Sequence, residues 1–145
     1  MKKLAVDRVR ALSVDETGGV FLMTANEDHV LQLPGGGVKP GESLEEAVIR
    51  EVGEETGHSE VEVLAQSLPV TVKRDGRKET SVCFRVRVTG SGEPQLTRQE
   101  KARGLRPTRF DDVEAAVQAL QQKAEQYGRP AVLRDLALIE AVRGA

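Results

Sequence analysis

The sequence predicts an α/β fold in which helices cover a mixed β-sheet. Short apolar runs, some with the strict alternation of strands, are interspersed with segments that carry apolar residues at helical spacing. Turn signals rather than linkers separate these segments, and the length of 145 residues fits one compact domain spanning 1–145. We therefore expect a single layered domain with its own hydrophobic core.

Strands are predicted from apolar runs bounded by turn residues, over residues 4–14, 20–23, 30–33, 59–67, 69–74 and 80–89. Asp75-Gly76 is a strong signal for a hairpin turn. In the last strand, side chains at alternate positions lie on opposite faces, with Val82, Phe84, Val86 and Val88 on one and Cys83, Arg85 and Arg87 on the other. Residues 90–108 are predicted to form a long polar loop.

The first helix has a signal at each end. Ser43 and Glu46 have the spacing of a capping box, and Gly57 suits a left-handed stop. The residues between them that recur at helical spacing and predict a buried stripe are Leu44, Ala47, Val48 and Val52. Two further helices are predicted, from Asp111-Asp112 to about 126 and from 130 to about 143.

Composition narrows the function classes. A formal net charge of -2 argues against broad nucleic-acid binding, which needs a strongly basic face. The single cysteine, Cys83, cannot form an internal disulfide, which fits a reducing compartment. Because no signal-peptide core and no long apolar run are present, we expect a cytoplasmic protein that does not enter a membrane.

A dense group of carboxylates follows the glycine run Gly35-Gly36-Gly37. Within fourteen residues the sequence places Glu42, Glu45, Glu46, Glu51, Glu54 and Glu55, interrupted by a single basic residue, Arg50. Like charges at helical spacing repel, so a folding argument alone does not account for this concentration. A bound Mg²⁺ or Mn²⁺ ion would remove the repulsion, and carboxylate oxygens suit either ion. Without metal, we expect at least one glutamate pKa to be raised.

These residues match the Nudix box, G-x5-E-x7-R-E-U-x-E-E-x-G-U, where U is aliphatic. The matching positions are Gly36, Glu42, Arg50, Glu51, Val52, Glu54, Glu55 and Gly57, and His58 departs from the final aliphatic position. The chain therefore resembles the Nudix hydrolase superfamily of MutT-like proteins. That resemblance implies an α/β/α sandwich and hydrolysis of the pyrophosphate bond in a nucleoside diphosphate derivative by water at a Mg²⁺ or Mn²⁺ site.

The resemblance also assigns expected roles. The metal ligands would be Glu51, Glu54 and Glu55, with the Gly36 carbonyl as a further one. Arg50, which we expect to pair with Glu42, is grouped with the catalytic residues Glu51, Glu54 and Glu100. The general base stays open between Glu51 and a later loop glutamate, for which Glu100 is the first candidate and Glu93 the second.

Two basic residues are candidates for binding substrate phosphate. Lys39 could reach a phosphate or simply be solvated, and Arg85 could bind one bidentately if its face of the strand lines the cleft. The sequence lacks the residues that mark the family's hydrolases of ADP-ribose, dinucleoside polyphosphates, coenzyme A and NADH. By elimination, this favours a nucleoside triphosphate or similar small nucleotide as the substrate. Two Trp residues that are common in this family are missing, since Leu31 stands at the first position and the stretch Leu105-Arg106-Pro107-Thr108 contains no Trp at the second. Their absence, together with His58, motivates the alternative of a non-catalytic nucleotide sensor. RNA 5′-end processing is a weaker idea, and the chain is expected to be a monomer or homodimer.

Overall fold

The structure, a computed structural model, describes residues 5–26, 30–127 and 130–143. Its elements in chain order are β1 (Arg8–Val14), β2 (Val20–Thr24), β3 (Leu31–Gln32), β4 (Gly35–Gly37), α1 (Leu44–Thr56), β5 (Glu60–Gln66), β6 (Val70–Arg74), β7 (Arg77–Thr89), α2 (Arg98–Ala102), β8 (Arg106–Phe110), α3 (Val113–Tyr127) and α4 (Pro130–Arg143). The predicted mixture of strands and helices is confirmed.

The sheet is mixed, as predicted. Its main path runs β3-β2-β1-β7-β5, with β4 paired to β1, β6 to β7 and β8 to β2. The β1 and β7 strands are parallel, whereas every other pairing among the described residues is antiparallel. Because β4 pairs with the first half of β1, Gly36 lies opposite Val9.

Two hydrophobic cores lie on opposite faces of this sheet. On one face, α1 packs its predicted stripe of Ala47, Val48 and Val52 against the alternate residues Val82, Phe84, Val86 and Val88 of β7. On the other face, α3 and α4 pack around Leu12, Leu22, Leu33 and Cys83. The result is the α/β/α sandwich expected from the resemblance.

Helix α1 begins and ends where the sequence predicted. Both hydrogen bonds of the Ser43–Glu46 capping box are present, and Gly57 ends the helix at φ 80°, in the left-handed region. The Asp75-Gly76 turn is also confirmed, with φ angles of 51° and 76° that match the hairpin type Asp-Gly favours.

The prediction of a continuous loop over 90–108 was wrong. Arg98–Ala102 forms helix α2, and Arg106–Phe110 forms strand β8 on the edge of β2. Gly35–Gly37 is likewise a strand rather than a loop. The sequence also predicts a tight polar loop over residues 25–29, of which residues 27–29 lie outside the described part of the chain. No helix in the described part of the chain is long and apolar enough to cross a membrane.

Candidate metal and phosphate site

Arg50 is the centre of the carboxylate cluster. Its Nε donates to Glu42 Oε2 at 2.7 Å and its Nη2 donates to Glu42 Oε1 at 3.0 Å, which confirms the expected pair. Its Nη1 donates to Glu51 Oε1 at 2.9 Å, and to Glu54 Oε2 at a longer 3.5 Å. A further bond from Nη2 to the Gly37 carbonyl, at 3.1 Å, ties α1 to β4.

The electrostatics of this cluster follow from the paired charges. The hydrogen bond from Arg50 lowers the pKa of Glu42 to about 2, and a bond from the Lys39 backbone N–H acts in the same direction. In return, Glu42 raises the pKa of Arg50 further above its ordinary value. Both groups therefore stay charged throughout the physiological range, and Glu42 anchors Arg50 beside the other two carboxylates.

Glu55 differs from its neighbours because it is buried. The residue is only 4% exposed, and its Oε1 accepts a hydrogen bond from the Gly35 N–H at 3.1 Å. Burial raises the pKa of Glu55 to about 8, and the nearby charges of Glu51 and Glu100 add to the rise. The expectation of one raised glutamate pKa holds here, although burial contributes more than repulsion.

The second glycine of β4 fits against the carboxylates without room to spare. A Cβ placed on Gly36 would lie 2.6 Å from Glu51 Oε1, so the Glu51 carboxylate rests directly on the Gly36 backbone. The Gly35 amide and the Gly36 backbone thus meet Glu55 and Glu51 along one short strand. The donor set is made of oxygen atoms, which fits Mg²⁺ or Mn²⁺.

The three predicted metal ligands are neighbours, but they do not converge on one point. No group of three or more His, Cys, Asp or Glu side chains stands at metal-binding geometry within residues 5–26, 30–127 and 130–143. The reason is visible in the contacts, since Arg50 holds Glu51 and Glu54 while the Gly35 amide holds Glu55. An ion at this site would have to compete with Arg50 for two carboxylates.

The two candidates for general base from outside the box, Glu100 and Glu93, lie at the edges of the cluster, whereas Glu51 lies within it. Glu100 belongs to α2 rather than to a loop, and its Oε1 accepts from the Thr97 N–H at 2.8 Å in a second capping box. Its charge nevertheless acts on Glu55. Glu93 is exposed and lines a cavity of about 400 Å³ together with Arg50 and Glu54.

The two phosphate candidates lie in different places. Lys39 is exposed just after β4, and its N–H donates to Glu42 Oε1 at 3.0 Å. Arg85 pairs in register with Leu12 and lies on the face of β7 opposite α1. It lines a cavity of about 850 Å³ in which the charged neighbours include Arg87, Glu60 and Glu62, and which contains none of the box residues. The structure therefore does not bring Arg85 to the carboxylate cluster.

Sequence reasoning did not single out three buried charged residues behind the site. Arg10, Arg134 and Asp135 are 4%, 1% and 0% exposed. A signal for Asp135 existed, because it falls at helical spacing among the buried α4 residues Val132, Leu138, Ile139 and Val142. Similarly, Arg10 lies two residues before the buried Leu12 on β1 and therefore on the same face of that strand.

Comparisons with known proteins agree with the fold. Among solved structures, a NUDIX hydrolase from Nitrosomonas europaea superposes with a TM-score of 0.67 over 94% of this chain and 90% of that chain, at 21% identity. The MutT protein from Methanosarcina mazei Go1 gives a TM-score of 0.58 at 24% identity, covering 94% of this chain and 92% of the other. At these identities the likeness establishes the fold.

Curated relatives are similar over shorter stretches. A putative 8-oxo-dGTP diphosphatase of Bacillus subtilis is 55% identical over 40 residues, covering 28% of this chain and 25% of that protein. An RNA pyrophosphohydrolase of Wolbachia pipientis subsp. Culex pipiens is 34% identical over 77 residues, covering 52% and 48%. The matches thus span between a quarter and a half of these relatives.

The family model for the NUDIX domain matches residues 5–134, which include every strand, the carboxylate helix α1 and the glycine strand β4. Since this match extends over most of the sequence, the chain belongs to the NUDIX domain family.

Proposed function

We propose that this protein is a Mg²⁺- or Mn²⁺-dependent pyrophosphohydrolase that cleaves a nucleoside triphosphate or a similar nucleotide. One observation carries the proposal: α1 holds Glu51 and Glu55 against the backbone of Gly36 and Gly35, with Glu54 beside them. Membership of the NUDIX family supports the same reaction class. Expected metal ligands are the three carboxylates and the Gly36 carbonyl.

The chain's residues divide the work. The bound ion would neutralise phosphate charge and help to activate the attacking water. That water attacks phosphorus, one P–O bond of the pyrophosphate breaks, and a carboxylate base accepts the proton that is released. Glu100 and Glu51 are the two candidates for this base, with Glu93 behind them. Arg50 keeps Glu51 oriented while Glu42 fixes Arg50.

The substrate class rests on less. The similar proteins from B. subtilis and Wolbachia are named for 8-oxo-dGTP and RNA, both of which carry 5′-phosphate chains. A free nucleotide suits this chain better than RNA, because its net charge of -2 offers no broad basic surface to a polyanion. Lys39, exposed beside the box, is the proposed phosphate contact near the site. The Arg85 assignment stays a prediction that needs its own test.

One screen tests the reaction and its substrate together. Purified protein with Mg²⁺ is given nucleoside triphosphates, 8-oxo-dGTP, ADP-ribose, dinucleoside polyphosphates and a 5′-triphosphate RNA, and products are identified by mass. We expect a nucleoside monophosphate and pyrophosphate from at least one triphosphate. Preferential hydrolysis of the RNA would select the RNA reaction instead, whereas nucleotide binding without product would support the sensor.

Glu54→Gln supplies the matched test of the metal site. The substitution keeps the shape of the side chain but removes the charge, so we expect turnover to fall by about a hundredfold or more while the thermal midpoint changes little. Glu45→Gln, at an exposed position of the same helix, is the control and should retain normal turnover. Normal turnover in Glu54→Gln would remove Glu54 from the mechanism.

A further inference from the structure

The backbone of Leu33, just before β4, is held by buried charged side chains at both its N–H and its C=O. The Leu33 N–H donates to Asp135 Oδ2 at 2.8 Å, and the Leu33 carbonyl accepts from Arg10 Nη1 at 3.3 Å. Leu33 itself is fully buried. Helix α4 and strand β1 therefore hold the two adjacent peptide groups of the same residue, α4 through the Leu33 N–H and β1 through the Leu33 C=O.

The two groups that hold Leu33 belong to a largely buried charge network. It consists of Arg10, Asp135, Arg134, Glu79 and, at its outer end, the partly exposed Arg8. In it, Arg134 Nε donates to Asp135 Oδ1 at 3.0 Å and Arg134 Nη1 donates to Glu79 Oε1 at 3.0 Å. Arg8 closes the chain with a contact of 3.3 Å to Glu79. These bonds fix the Asp135 carboxylate, since its second oxygen is the one that accepts from Leu33.

Leu33 lies directly before the residues that contact the carboxylate site. Two residues after Leu33, the Gly35 N–H donates to Glu55, and the next residue supports the Glu51 carboxylate. Gly35 also packs closely against the Arg10 side chain, because a Cβ placed on Gly35 would lie 2.9 Å from Arg10 Cδ. The chain from Leu33 to Gly36 thus connects the network on one face of the sheet with α1 on the other.

Stability alone is a poor reason for such a network. Taking charges out of water is costly, and well-packed apolar residues often stabilise a core equally well. Two of the buried nitrogens, Arg10 Nε and Arg134 Nη2, have no hydrogen-bond partner, which adds to the cost. Unlike apolar groups, charged side chains can fix the direction of a backbone N–H or C=O by hydrogen bonding to it.

We propose that Arg10 and Asp135 are positioning residues for the metal site, acting through the Leu33 backbone and the Gly35 amide on Glu55 and Glu51. The inference rests on the proposed function, because it assumes that these carboxylates bind a divalent ion. Neither residue lies in the Nudix box, and Asp135 reaches the site from the last helix, outside the residues matched by the family model.

The first test compares a variant of a proposed positioning residue with a variant of an apolar core residue. Arg10→Lys keeps the positive charge but loses the planar guanidinium group that hydrogen-bonds the Leu33 carbonyl. We therefore expect the affinity for Mn²⁺ to fall by about tenfold, which is at the low end of the losses seen when a residue that orients a metal ligand is replaced. Val142→Ala in α4 removes apolar contacts from the core that also contains Leu33, but it removes neither charged group that holds the Leu33 backbone, and it should bind Mn²⁺ normally. Binding is measured by electron paramagnetic resonance of free Mn²⁺, and stability by urea unfolding of the same samples.

Two results would overturn the positioning role. The first is folded Arg10→Lys with normal Mn²⁺ affinity, and the second is an equal loss of affinity in Val142→Ala at matched stability. Should Arg10→Lys not fold, a Mg²⁺ titration of the unsubstituted protein followed by nuclear magnetic resonance decides. We expect the Leu33 and Gly35 amides and the Arg10 Nε–H signal to shift together as Mg²⁺ saturates the site.

The same titration separates this inference from the proposed function. Shifts at Gly35 and Gly36 with no change at Leu33 or Arg10 would end the positioning role and leave the metal site intact. No Mg²⁺-dependent shift at either glycine would remove the metal site itself, and the positioning role with it.

Discussion

Glu55 has a buried carboxyl group in a site that needs its charged form. Its side chain is nearly inaccessible, and burial is the main cause of a pKa near 8 against an ordinary value of 4.5. At neutral pH and without metal, the neutral form therefore dominates. The folded protein binds this proton more tightly than the unfolded chain, so stabilisation by the proton is complete below about 4.5 and is lost as pH rises through about 8.

Metal binding should depend on pH in the opposite direction. An ion needs the ionised carboxylate, so binding must release the Glu55 proton. We expect Mn²⁺ affinity to rise by up to about tenfold per pH unit from pH 6 to about 8 and then to level off. Calorimetry in buffers of different ionisation enthalpy measures the proton release, with Glu55→Gln as the comparison. Affinity that stays constant from pH 6 to 8 would contradict the raised pKa.

At the scale of elements, α1 combines a well-formed start and end with one weak position inside. Gly53 lies in the middle of the helix, and the nearest atom to a Cβ placed there is the His58 carbonyl oxygen at an ordinary 3.6 Å. A glycine inside a helix can allow another backbone to approach closely, but the packing around Gly53 provides no such reason for it. Gly41, in the turn before α1, is different because its φ of +79° favours glycine.

Gly53→Ala should therefore stabilise the protein. Removing glycine from a helix interior without a clash gains about 0.5–1 kcal/mol in the free energy of unfolding. Gly41→Ala is the matched control and should destabilise, because alanine avoids a left-handed φ even in open space. Urea unfolding of both variants measures the difference. A loss of stability in Gly53→Ala would mean that the helix needs glycine there for another reason.

An element could be predicted from the sequence when residues within or beside it determine its limits, and not when it depends on distant parts of the chain. The limits of α1 are written in Ser43, Glu46 and Gly57, all of which act locally. Strand β8 depends on pairing with the distant β2 and contains Pro107, which disfavours a strand assignment. Helix α2 was missed although Thr97 and Glu100 have capping-box spacing, because only five residues follow it as helix.

The site divides in the same way. Its carboxylates were predictable, since the box spacing is a property of one helix, and so was the Arg50–Glu42 pair. The place of Arg85 was not, because strand register and a bulge between Val63 and Ala65 decide what lies beside it. Arg10 and Asp135 needed the tertiary contact between β1, α4 and Leu33.

For the molecule as a whole, α4 is held to the sheet by an apolar core and by the buried charge network. Arg134 depends on Asp135 and Glu79 for neutralisation, and both contacts measure 3.0 Å. Breaking this pair from one side leaves a buried guanidinium without its nearest carboxylate. The cost of that state exceeds what the intact pair contributes to stability.

Asp135→Ala should consequently be strongly destabilising. We expect a loss of roughly 3–5 kcal/mol in the free energy of unfolding. Glu140→Ala on the same helix removes an exposed carboxylate 3.7 Å from Arg143 and should stay within about 0.5 kcal/mol of the unsubstituted protein. Thermal and urea unfolding provide both values. A small effect for Asp135→Ala would mean that water already reaches Arg134.

We propose that divalent metal binds where α1 meets β4. The most direct measurement is a crystal structure of the protein with Mn²⁺, located by its anomalous scattering. We predict a peak coordinated by oxygens of Glu51, Glu54 and Glu55 and by the Gly36 carbonyl, with Arg50 retained on Glu42. Saturating Mn²⁺ that leaves no peak there, with Arg50 still bonded to Glu51 and Glu54, would show that these carboxylates do not form a metal site.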